Sequence, residues 1–80
     1  LSVYPNPADD HLSLQFNSNI NEEFIIELID ISGRIVISEK FSANEGINSK
    51  EVSLQNISNG IYTLHMKSET ADEKVRVLVK

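Results

Sequence analysis

Tyr62-Thr63-Leu64-His65-Met66-Lys67 alternates apolar and polar side chains with a period of two. Only an extended strand sends such neighbours to opposite faces, one toward a core and one toward water. The same pattern lies on either side of it. Leu12, Leu14 and Phe16 alternate with Ser13, Gln15 and Asn17, and Val75, Val77 and Val79 alternate with Lys74, Arg76, Leu78 and Lys80. Two middle segments, Phe24-Ile25-Ile26-Glu27-Leu28-Ile29-Asp30 and Ile35-Val36-Ile37, are apolar on both parities. That pattern predicts strands that are central or partly covered on their second face. Val52 and Leu54 complete a shorter strand and Ser2–Tyr4 a leading one, about seven in all.

The breaks between these segments carry turn chemistry. Pro5-Asn6-Pro7 cannot continue a ladder, because proline lacks the N–H and restricts the residue before it. Asp30-Ile31-Ser32-Gly33-Arg34 reads as a tight hairpin turn with Gly33 supplying a positive φ. Ser42–Gly46 reads as a looser loop, Ser58-Asn59-Gly60 as another turn, and Glu69–Glu73 as the link between the last two strands. No helical period intervenes, so the expected fold is all-β: an immunoglobulin-like antiparallel β-sandwich of about seven strands.

Size and charge narrow the function. Eighty residues make a single domain with one core, 1–80. The 40% hydrophobic fraction suffices for that core only if it segregates to one face of each strand. Absence of cysteine removes disulfides and thiolate metal sites, and is compatible with an exported domain. A net charge of −5 speaks against nucleic-acid binding, which needs a basic surface. No stretch approaches the roughly 18 apolar residues of a membrane-spanning helix, so direct membrane insertion is not expected. The chain opens at Leu1 without methionine, which is read as a fragment of a longer protein.

Few residues look chemical. Asp9-Asp10-His11 is the one cluster resembling metal ligands or an acid/base set. Three consecutive side chains seldom converge on one ion, so a polar turn with an aspartate capping backbone N–H groups is the favoured reading. His65 is expected at an outward strand position as a solvated surface histidine with no obvious cysteine or aspartate companion. Glu22-Glu23 and Asp72-Glu73 are expected in loops as solubilising pairs. No serine sits in a nucleophile elbow and the three glycines are isolated turn residues, so neither catalysis nor a cofactor is expected. Positive charge is more informative: Lys67, Lys74, Arg76 and Lys80 place four of the seven basic residues in the last fourteen positions. Such residues on a final strand either discourage edge-to-edge aggregation or form a docking stripe.

Four motifs in order resemble those of the type A C-terminal sorting domain of the type IX secretion system, found in Bacteroidetes. Val3-Tyr4-Pro5-Asn6-Pro7-Ala8 is similar to its opening and Ile29–Arg34 to its central hairpin. Ser58-Asn59-Gly60-Ile61-Tyr62-Thr63-Leu64 resembles its G-x-Y strand and Lys74–Lys80 its terminal strand. The family often has proline shortly before the G-x-Y glycine, where this chain has Ser58-Asn59. The resemblance implies a non-catalytic sorting signal at the end of a larger secreted protein. It implies recognition by outer-membrane translocon and shuttle components, then removal by a sortase-like cell-surface peptidase. The cargo would pass through the periplasm to the cell surface or the medium.

Within that frame Lys74, Arg76, Val79 and Lys80 are the expected recognition residues. Pro5, Asn6 and Pro7 are expected to fix how the linker enters. Gly33, Gly60 and Tyr62 are expected to hold the fold, Tyr62 with its ring inward and its hydroxyl on a backbone carbonyl as in a tyrosine corner. A monomer is expected. The alternative is an adhesive or carbohydrate-binding sandwich module, which would display a strip of exposed aromatics. With Phe16, Phe24 and Tyr62 assigned to the core, only Tyr4 and Phe41 would remain for such a strip.

Overall fold

Alternation in the sequence becomes alternation of burial. Along His11–Ser18 the side chains of Leu12, Leu14, Phe16 and Ser18 are buried, and along Gly60–Lys67 those of Tyr62, Leu64 and Met66. The protein, described over residues 1–80 by a computed structural model, has seven strands and no helix. They are β1 (Ser2–Tyr4), β2 (His11–Ser18), β3 (Glu22–Ile29), β4 (Ile35–Ala43), β5 (Gly46–Ser53), β6 (Gly60–Lys67) and β7 (Asp72–Val79).

Two antiparallel sheets form the sandwich, one ordered β1-β2-β5 and the other β4-β3-β6-β7. The hairpins β1-β2, β3-β4 and β6-β7 stay within a sheet, and the other connections cross between sheets. Between them lie fifteen buried apolar residues in one cluster. Leu12, Leu14, Ile26, Leu28, Leu64 and Val77 have no exposed surface at all. Burying one such side chain is worth about 1.5–3 kcal/mol, and a chain this short has no other large source of stability.

Several local expectations change. The carboxylate pairs are not in loops, because the register Glu22↔Ala43 and Lys67↔Asp72 draws them into the first positions of β3 and β7. The Ser42–Gly46 loop shrinks to Asn44-Glu45, since Ser42 and Ala43 finish β4 and Gly46, at φ +106°, begins β5. Asn48 closes this corner, accepting from the Asn44 amide and donating to the Asn44 and Gly46 carbonyls. β5 outruns its apolar signal because β2 pairs with it from Ser53 back to Gly46. Its inward positions Asn48 and Lys50 are polar and lie on an edge, with Lys50 paired to Glu39 at 3.3 Å. β3 is central, as its doubled apolar parity predicts, but β4 is an edge strand. A register shift at Leu28/Ile29 explains β4: Val36 and Ile37 both pack on the core, while Ile35 opposite Ile29 stays 51% exposed.

Candidate recognition surface

β7 is the edge of the four-stranded sheet. Its odd positions Val75, Val77 and Val79 turn inward, so Lys74, Arg76 and Leu78 turn outward. Lys74 and Arg76 are exposed, as is Lys80 just past the strand end. None of these three cations has an ion-pair partner, and neither does Lys40 on β4, whereas Arg34, Lys50 and Lys67 pair with Asp30, Glu39 and Glu27. Acidic residues outnumber basic ones twelve to seven, so three unpaired cations along β7 and its end make a distinct patch. Val79 does not belong to it. It is 2% exposed, and its side chain holds β7 on the core.

The edge of β7 is partly covered. The Ala8 amide donates to the Leu78 carbonyl and the Lys80 amide donates to the Ala8 carbonyl, both at 2.8 Å. Asn6 completes the cover, its Nδ2 donating to the Arg76 carbonyl at 3.2 Å and its Oδ1 accepting from the Leu78 amide at 3.1 Å. Pro5-Asn6-Pro7-Ala8 therefore clasps the far half of the strand, with cis peptide bonds before both prolines. Ala8 itself is 1% exposed and sits in the core. Sequence reasoning placed these residues at the linker entry; it had no register with which to find the strand they grip.

The supporting residues stand as follows. Tyr62 is buried and its hydroxyl donates to the Ser58 carbonyl at 2.6 Å, four residues back. Gly33 has φ +91°. In its turn one Asp30 oxygen accepts from the Ser32 amide, the Ser32 hydroxyl and the Arg34 amide, at 2.7–3.0 Å. The Ser32 hydroxyl first, and then the Arg34 amide, hold the Asp30 carboxyl below its ordinary value. Gly60 needs no unusual φ, and a Cβ there would meet the Tyr62 ring at an ordinary 3.6 Å.

Asp10 spends its carboxylate on His11 at 2.7 Å instead of capping a backbone amide. The hydrogen bond between them lowers the Asp10 pKa and raises that of His11. No three histidine, cysteine or acidic groups converge as metal ligands. His65 has the carboxylate companions that sequence reading missed. Nε2 lies 2.6 Å from Asp72 and Nδ1 3.6 Å from Glu27, with the side chain only 12% exposed. They come from neighbouring strands, Asp72 from β7 and Glu27 from β3. Phe41 likewise is not free: it stacks on Phe24 at 5.7 Å and meets Phe16 edge-on at 5.6 Å. Tyr4, 50% exposed, is left without an aromatic neighbour, so the surface carries no stacking strip for a sugar ring.

A family model described as the secretion system C-terminal sorting domain matches residues 2–80. No curated protein matches the chain.

Proposed function

Because the chain belongs to the family of secretion system C-terminal sorting domains, and is thereby a signal for type IX secretion of cargo across the outer membrane, we propose that its β7 cations are the docking element. Lys74, Arg76 and Lys80 supply charge to the translocon or its shuttle components, and Val79 contributes from within by anchoring the strand. The observation that carries this reading is the set of three unpaired cations along one exposed strand and its end in an acidic domain. Charges at a contact rim steer encounter and set register more than they add affinity. The domain catalyses nothing itself. It forms one unit, 1–80, at the end of a larger secreted protein, and a sortase-like surface peptidase removes it after export.

The test is a fluorescent protein carrying a periplasmic signal and fused ahead of residues 1–80, expressed in a host with a working type IX system. Fluorescence at the surface or in the medium is expected, and its loss in a translocon mutant. Replacing Lys74, Arg76 and Lys80 together by alanine should leave the circular dichroism of the domain unchanged and hold the fusion in the periplasm. Normal export of that variant would remove β7 from the docking role.

A further inference from the structure

The two sheets present different outward faces. On the three-stranded sheet, β2 and β5 show Ser13, Gln15, Asn17, Ser49 and Glu51, with Ile47 the one large aliphatic. On the four-stranded sheet, one end is aliphatic. Ile61 and Leu78 face each other across β6 and β7, 49% and 37% exposed. Ile29 stands opposite Ile35, and Ile31, 86% exposed, projects from the adjoining turn. Two depressions join Ile29, Ile31, Ile61 and Leu78 into one patch. One of about 390 Å³ includes Ile29, Ile31, Ile61 and Arg76 in its lining, together with Asp30, whose charge is met by Arg34 at 3.3 Å, and one of about 310 Å³ lies between Asn6, Ile61, Arg76 and Leu78. Arg76 borders both. Exposed aliphatic clusters of this kind mark interaction sites on soluble domains.

We propose that this patch is a docking surface for an acidic, apolar peptide segment of the secretion machinery, engaged through the outward face of the sheet and not by strand addition. The inference rests on the β7 reading above. Strand addition needs a free row of N–H and C=O groups. From the Arg76 carbonyl to the Lys80 amide those groups are already held by Asn6 and Ala8. Side chains remain, and they pair apolar depressions with the unpaired guanidinium of Arg76, flanked by Lys74 and Lys80. An acidic segment bearing apolar side chains complements both features. A second copy of this chain would bring two sets of the same cations together around the patch, and a net charge of −5 opposes an anionic lipid surface.

Two measurements decide it. In the secretion assay, Ile61→Ser with Leu78→Ser should block export while Ile47→Ser on the opposite face exports normally. Ile31→Glu, at an exposed turn position, gives a second arm that opposes an acidic partner without threatening the core. Export of both patch variants at wild-type level overturns the proposal; if the β7 alanine variant still fails, only the patch falls. In solution, a short synthetic peptide alternating Glu and Leu should shift amide resonances of residues 29–35, 61–63 and 74–78. The Ile61/Leu78 variant should bind it at least about tenfold more weakly. Equal binding, absence of binding, dimerisation abolished by the same substitutions, or flotation with phosphatidylglycerol vesicles abolished by them would each overturn the assignment of a peptide occupant.

Discussion

Asp30 shows how much organisation one side chain can impose. Its carboxylate gathers two backbone amides and a hydroxyl into the β3-β4 turn, and these donors favour the charged form. A carboxyl whose folded pKa is depressed adds stability that is present above its unfolded value, here 3.8, and is lost as the pH falls below it. Asp30→Asn should therefore melt lower than the wild type at neutral pH, and the gap should close as thermal melts are carried down to about pH 2. Tyr62 is a second such residue. Tyr62→Phe keeps the buried ring and leaves the Ser58 carbonyl without its donor, a loss of about 1 kcal/mol by urea titration. The inward ring and the backbone-bound hydroxyl were legible in the sequence, because both follow from strand parity and a nearby turn. His65 was not. Parity placed it outward correctly, but its two carboxylates arrive from other strands, and only the register brings Glu27 and Asp72 beside it.

At the scale of elements, β7 combines an inward valine face, an outward basic face and an edge held by Pro5-Asn6-Pro7-Ala8. Asn6 imitates a strand residue with its side-chain amide, giving one donor and one acceptor to successive groups of the edge. Asn6→Ala should cost about 1 kcal/mol, since water can replace bonds at an exposed edge. It should also speed hydrogen exchange at the Leu78 amide, while the Val77 amide, on the opposite side of the strand, stays protected. An unchanged Leu78 rate would mean that Ala8 alone holds the edge. The strand's cations and valines were plain from the sequence, and so was the peculiarity of the Pro-Asn-Pro segment. That the one covers the other was not, because local propensity carries no information about partners seventy residues away. β4 shows the same boundary: its doubled apolar parity reflects a register shift on an edge strand and not a central position.

For the whole molecule, binary patterning was enough to name the class. Seven short extended segments with polar breaks admit few arrangements besides two packed sheets. What patterning lacks is the assignment of strands to sheets, because hairpins that stay in a sheet and connections that cross between sheets have similar lengths here. Both sheets share one apolar layer, so a cavity in it should be felt globally. Leu64, fully buried on the central β6, should cost about 2–5 kcal/mol on replacement by alanine. In a single small domain the urea transition should move as a unit, with fluorescence and circular dichroism reporting one midpoint. Separate midpoints would show that the two sheets unfold independently.

The grip of Asn6 on Arg76 and Leu78 spans 70 and 72 positions of the chain. The Asn6 amide has nothing to hold until Arg76 and Leu78 are in place beside it. A polypeptide that stops before Arg76 lacks the clasp, two inward valines of the core, and the guanidinium and leucine of the outward patch. The two ends of the domain are thereby interlocked, and the clasp closes only when the whole sandwich has assembled.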